Sequence, residues 1–87
     1  MRVEHDETGH RFHVTLPDGE AELIYDRFTE GVIDLQHTEV PRSGRGTGVS
    51  DALVRAALAW AREHGERVVA TCPYVQRWLK AHPDERP

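Results

Sequence analysis

The sequence Val40-Pro41-Arg42-Ser43-Gly44-Arg45-Gly46-Thr47-Gly48-Val49 lies between a β-like run and the longest helical pattern of the chain. Its three glycines allow positive φ angles and let the backbone approach a ligand closely. A helix that begins here directs unpaired N–H groups and the positive end of its dipole at whatever lies in front of it. Such an end binds phosphate, and the two arginines add donors suited to phosphate oxygens. The stretch therefore predicts a pyrophosphate-binding turn, with a plain glycine-rich strand-to-helix turn as the alternative.

Four β-like segments precede this stretch, over residues 2–6, 10–16, 20–28 and 32–40. In the second segment Phe12, Val14 and Leu16 alternate with polar residues, which is typical of a half-buried strand. Pro17-Asp18-Gly19 is a strong hairpin signal between the second and third segments. The regular spacing of the segments predicts an antiparallel meander of four strands.

The hydrophobic period changes after Gly48. Apolar residues then recur at helical spacing and predict a helix that ends at Gly65. Residues 66–72 follow as a buried strand, expected to run parallel to the fourth because a helix connects the two. Pro73 suits the first turn of a second helix that ends at His82-Pro83, and residues 84–87 are expected to fray. The predicted fold is α+β, a single domain over residues 1–87 with a mixed five-stranded sheet and two helices.

Composition narrows the classes of function. The 87 residues carry a net charge of −4, so no general basic surface indicates nucleic acid as a partner. No apolar run approaches the roughly 20 residues of a membrane span, and the polar first residues do not resemble a signal peptide. A single cysteine, Cys72, excludes an internal disulfide framework and fits the cytoplasm. A chain this short has a thin core, which leaves a monomer and a homodimer both open.

The spacing of the glycines distinguishes between classes of phosphate-binding motif. A dinucleotide fingerprint needs a third glycine three residues after the second, where this chain has Val49, and it opens a βαβ unit. A P-loop needs lysine after its last glycine, and Val49 again stands there. What remains is a pyrophosphate-bearing cofactor on an Arg-Gly-x-Gly turn within an α+β sheet.

The chain resembles the GNAT superfamily of acetyl-coenzyme A-dependent N-acetyltransferases. Val40-Pro41, Arg45-Gly46-Thr47-Gly48 and the helix after them carry the resemblance. His37-Thr38 before them, Cys72-Pro73-Tyr74-Val75 and His82-Pro83 make the chain similar to the minimal single-domain proteins of the YjdJ type. The resemblance implies acetyl-coenzyme A as cofactor, an amine of a small molecule or protein as acceptor, and a backbone donor from the fourth strand. It also implies cofactor contacts at Thr38, Val40, Arg45, Gly46, Thr47, Gly48 and Tyr74.

The chain departs from the GNAT pattern in two respects. Ser43 stands where typical members carry Gln or Arg, with Arg42 as the nearest substitute. The chain also lacks room for the helices that usually follow the first strand and help to form the acceptor site, so the acceptor is left open. A coenzyme A-binding or protein-interaction module without turnover is the competing function.

His37 and Cys72 are the candidate catalytic residues. Histidine titrates near physiological pH, and unbroken alternation places His37 on the inner face of the fourth strand with Ile33 and Leu35. Cys72 precedes a helix N-terminus, which favours the thiolate form and suits either a proton donor or an acetyl acceptor. A hydrogen-bonded structural histidine and a small buried hydrophobic cysteine are the respective alternatives. His10 and His13, three apart on a strand, face opposite sides, so no metal site is expected.

Overall fold

The computed structural model describes all 87 residues as one five-stranded sheet with two helices. Strands β1 to β4 are antiparallel neighbours in chain order, and β5 pairs with β4 in parallel. Helix α1 connects β4 to β5, helix α2 follows β5, and neither is long and apolar enough to cross a membrane. The predicted α+β architecture is confirmed. The element bounds are β1 Glu4–Asp6, β2 Arg11–Leu16, β3 Gly19–Thr29, β4 Val32–Glu39, α1 Val49–Glu63, β5 Arg67–Ala70 and α2 Pro73–Ala81.

One hydrophobic core lies between the sheet and the helices. Strand alternation directs every second side chain of β2, β3 and β4 into it, and both helices contribute their apolar faces. The opposite face of the sheet carries charged side chains, among which Arg11 donates to Glu20 at 2.8 Å and Glu22 at 3.0 Å. The fully buried members with the largest side chains are Leu23, Ile33, Leu35, Leu53, Val49, Val54 and Val75.

A β-bulge in β4 changes which side chains reach the core. Ile24 pairs with His37 but Tyr25 pairs with Leu35, so Gln36 is an extra residue without a partner on β3. The extra residue reverses the alternation beyond it. The predicted inner placement of His37 is therefore wrong: its side chain is 58% exposed, and the half-buried Thr38 turns inward instead.

The C-terminal residues are packed on the sheet, which corrects the predicted frayed tail. Pro83–Glu85 forms a 3₁₀ turn, and the Arg86 guanidinium donates to the Val68 carbonyl at 2.9 and 3.1 Å. Because β5 is an edge strand, its outer carbonyls have no strand partner. Arg86 satisfies one of them and thereby holds the tail against the edge.

Candidate active site

Strands β4 and β5 part at one end of the sheet. Their pairing ends at Leu35 and Ala70, whereas β4 continues to Glu39. The Leu35 carbonyl accepts hydrogen bonds from both Thr71 N and Cys72 N at 3.1 Å, which closes the parallel ladder. Beyond it, the edge of β4 that faces β5 has no strand partner. The result is a wedge-shaped gap, lined on one side by an unpaired strand edge.

Asp34 fixes the point at which β5 turns away. Its carboxylate accepts from Thr71 N at 2.8 Å and from Thr71 Oγ1 at 2.6 Å. The side chain is buried at 8% exposure, and these hydrogen bonds compensate for its desolvation. Asp34 therefore sets the path of the chain immediately before Cys72. No sequence motif predicts this role. Alternation along β4 simply places Asp34 on the outer face of the sheet as a polar residue.

The glycine-rich turn lies at the N-terminus of α1. Gly46 and Gly48 have φ angles of 74° and 86°, and a Cβ atom on either would meet nothing within 4 Å. The amide N–H groups of Gly46, Gly48 and residues 49–51 donate no hydrogen bond within the protein. Arg42 and Arg45 are exposed beside them. The turn thus presents free donors, open space and positive charge together, as an anion site requires.

The turn is anchored to the β2–β3 hairpin. Ser43 donates to Asp18 through its backbone N–H at 3.1 Å and also through its hydroxyl. These hydrogen bonds lower the pKa of Asp18, the hydroxyl contact more than the backbone contact. Gly44 packs so closely that a Cβ atom would lie 2.7 Å from Leu16 Cδ1. Ser43 therefore anchors the glycine-rich turn to the β2–β3 hairpin. The hairpin signal identifies Asp18 as a turn residue but gives no sign of this contact.

Cys72 and Thr38 meet at the gap. Cys72 is buried at 4% exposure as the N-cap residue of α2, and its Sγ lies 3.6 Å from Thr38 Oγ1. Either atom can donate in this hydrogen bond. The bulge at Gln36 is what turns Thr38 toward the thiol, since unbroken alternation would direct it to the other face. Two predicted site residues, from elements 34 positions apart, are thus in direct contact.

Tyr74 is the second residue of α2 and is half-buried. Burial raises the pKa of its hydroxyl, and the charge of Asp51 raises it further. Tyr74 is therefore protonated at neutral pH and available as a hydrogen-bond donor. Asp51 also accepts from Trp78 Nε1 at 2.8 Å, which ties α2 to the first turn of α1. Val40 follows the last residue of β4 and is half-buried against the core.

His37 lies on the open face of the sheet, away from the helices. Its Nε2 is 3.5 Å from Glu39 Oε2, and both side chains are largely exposed. The structure therefore joins Cys72 with Thr38 but leaves His37 on the other side of β4.

A parallel strand pair that parts beside a glycine-rich helix N-terminus defines the N-acetyltransferase class of α+β fold. The family model for GCN5-related N-acetyltransferases matches residues 11–86. The chain belongs to the GCN5-related N-acetyltransferase family.

Curated relatives and solved structures agree with this assignment. The protein NATD1 of Bos taurus is 40% identical over 85 residues, covering 95% of this chain and 75% of the relative. NATD1 of Homo sapiens is 39% identical over the same length. The solution structure of a GCN5-like protein from Staphylococcus aureus has a TM-score of 0.75 at 22% identity, over 97% of this chain and 82% of that one. Ard1 from Thermoplasma volcanium has a TM-score of 0.65 at 16% identity, over 83% and 53% of the two chains.

Proposed function

We propose that the protein binds acetyl-coenzyme A and transfers the acetyl group to an amine in the cytoplasm. The observation that carries the proposal is a set of three neighbouring features: the free N–H groups of the glycine-rich turn, the β4 edge that has no strand partner beyond Leu35, and the Thr38–Cys72 contact. A long ligand with an anionic end and a reactive end would engage all three. Acceptor-site helices are missing from this short chain, so the open sheet face is where we expect the amine to arrive.

The residues present fit this ligand. Free N–H groups of Gly46, Gly48 and Val49 would bind the pyrophosphate, with Arg45 supplying charge-assisted hydrogen bonds. Thr47 stabilises the turn, since its hydroxyl donates to the Gly44 carbonyl at 2.5 Å. The unpaired backbone edge from Thr38 in β4 to Val40 just after it would pair with the amide-containing arm as an added strand does. When bound, acetyl-coenzyme A supplies a thioester-linked acetyl group, which an amine nitrogen attacks while the sulfur leaves as a thiol.

The protein contributes proton transfer from both faces of β4. On the open face, His37 accepts the proton that the amine loses, and Glu39 stabilises the resulting imidazolium. On the helix face, Cys72 Sγ, hydrogen-bonded to Thr38, donates a proton to the departing sulfur. The Thr38 hydroxyl donates its hydrogen bond to the Cys72 thiolate that remains, and solvent then returns a proton to the thiolate. Tyr74, held protonated, is a further donor at the same end of α2.

Cys72 gives a direct test because it is the only cysteine of the chain. We expect acetyl-coenzyme A to protect it from iodoacetamide in intact-mass spectra, whereas ATP, which has the phosphates but no pantetheine arm, does not. An alkylation rate unchanged at saturating acetyl-coenzyme A would remove Cys72 from the site.

Turnover is measured separately, as coenzyme A released in the presence of a panel of amines. Cys72→Ala and the isosteric Thr38→Val are expected to bind acetyl-coenzyme A normally and to lose about 10²–10⁴ in turnover, the usual contribution of a positioned acid. Binding without release of coenzyme A with any amine would instead favour the non-catalytic module. Full activity of both variants would refute the proposed proton donor.

A further inference from the structure

A second cleft lies at the opposite end of the molecule, below the C-terminus of α1. It has a volume of about 280 Å³ between the β1–β2 turn, the middle of the sheet and the end of the helix. Helix α1 has 15 residues, so this end lies about 22 Å from the glycine-rich turn. The cleft is therefore separate from the proposed acetyl-coenzyme A site. Its lining residues are Glu7, His10, Tyr25, Arg27, Ile33, Trp60, His64 and Glu66.

Two stacked ring pairs form flat walls in this cleft. His10 stacks on Tyr25 with ring centroids 5.2 Å apart, and His64 stacks on Trp60 at 4.5 Å. The Tyr25 and Trp60 rings are themselves 6.0 Å apart. The Tyr25 hydroxyl is already hydrogen-bonded to His5 at 2.6 Å, so it is not free for a ligand. The walls therefore offer planar π surfaces, which favour a flat ligand.

The polar groups of the cleft are mainly acceptors. His64 Nδ1 lies 2.9 Å from the Trp60 carbonyl, which only accepts, so Nδ1 carries a proton, and Nε2 of the neutral ring is an acceptor. The Asp26 carboxylate, 3.3 Å from His10 Nδ1, adds an acceptor beside the cleft. A ligand that binds here must bring N–H donors.

The charge of the lining is negative. Arg27 donates two hydrogen bonds to Glu66, at 2.8 and 2.9 Å, and these lower the pKa of Glu66. The charges of Arg27 and Glu66 cancel each other, so the exposed Glu7 carboxylate makes the lining negative. The carboxyl end of α1 adds its own negative potential. No three His, Cys, Asp or Glu side chains are grouped so as to hold a metal ion, so an organic cation is the better match.

We propose that this cleft binds a guanidinium group, carried either by a small metabolite or by an arginine side chain. Guanidinium is planar, positively charged and rich in N–H donors, and it both stacks on aromatic rings and pairs with carboxylates. Arg27 already places one guanidinium against a carboxylate at the rim. The second stacks against the exposed side of these ring pairs, with Glu7 as its counter-ion.

The two tryptophans make the test site-specific. Trp60 lines the cleft, whereas the Trp78 indole N–H is bound to Asp51 near the other end of α1. We expect methylguanidinium to shift the Trp60 indole resonance in ¹H–¹⁵N spectra and to leave that of Trp78 unchanged. Methylurea, the neutral isostere, should shift neither. Equal shifts from the two probes, or no shift from methylguanidinium, would overturn the proposal.

Variants identify the counter-ion. Glu7→Gln should weaken methylguanidinium binding about five-fold, which corresponds to the interaction between two solvent-exposed opposite charges at contact distance. Glu63→Gln changes an exposed α1 carboxylate outside the cleft and should have no effect. Equal affinity of the two variants would refute Glu7 as the counter-ion. N-acetylarginine amide, compared with methylguanidinium, distinguishes the sources: tighter binding indicates an arginine side chain, and weaker binding a small metabolite.

Discussion

Gly46→Ala is expected to separate the ligand contact of the glycine-rich turn from its backbone conformation. Gly46 has φ 74° and open space where a Cβ would lie, so the added methyl clashes with nothing in the protein. Gly65, after the end of α1, has φ 67° and the same open surroundings. Gly65→Ala therefore imposes the same backbone strain about 22 Å away from the turn, and it is a matched control.

The expected stability change is the same for both variants. An L-residue in the left-handed region costs roughly 1–2 kcal/mol, which in a domain of this size lowers Tm by about 4–8 °C per kcal/mol. Gly44→Ala should behave differently, because its Cβ would lie 2.7 Å from Leu16 Cδ1 and 2.9 Å from Val40 Cγ1. We expect it to cost about 1–3 kcal/mol by overpacking, without any φ penalty.

We expect Gly46→Ala and Gly65→Ala to differ in their affinity for acetyl-coenzyme A. A methyl in front of the free N–H groups of the turn prevents the close approach of phosphate oxygens, and one lost charged hydrogen bond is worth about 1.5–3 kcal/mol. Isothermal titration with acetyl-coenzyme A should thus show Gly46→Ala at least about ten-fold weaker than wild type, and Gly65→Ala unchanged. Folded Gly46→Ala that binds as tightly as Gly65→Ala would refute phosphate binding at this turn.

Two further predictions concern histidines. His37→Gln should lower turnover by about 10²–10⁴ with unchanged acetyl-coenzyme A affinity, because it removes only the base on the open face, and an unaltered pH–rate profile would contradict this role. Burial against Phe12 and Trp60 lowers the pKa of His5 below its ordinary 6.5, although Glu7 and Asp6 oppose the shift. The unfolded chain then binds more protons, so the free energy of unfolding should fall as pH drops below about 6.5. Urea unfolding of wild type and His5→Phe at several pH values measures this, and identical pH dependence would count against it.

Local patterns in the sequence were sufficient for the order of the elements and for the position of the glycine-rich turn. Period-two alternation identified the strands, helical spacing after Gly48 identified α1, and Pro73 marked the start of α2. These signals are local, because each depends on residues that are close together in the sequence. The positive φ angles of Gly46 and Gly48 follow from the same local chemistry.

Contacts between residues that are far apart in the sequence decided the geometry of the candidate site. One unpaired residue, Gln36, arises from the pairing of β3 with β4, and it exchanges the predicted orientations of His37 and Thr38. The Thr38–Cys72 contact, the Asp18–Ser43 anchor and the Arg86–Val68 hydrogen bond likewise join elements separated by 18 to 34 positions. No window of sequence contains both partners of such a contact. Their geometry appears only when the sheet register and the helix packing are in place, because a one-residue shift in register reverses every side chain that follows it.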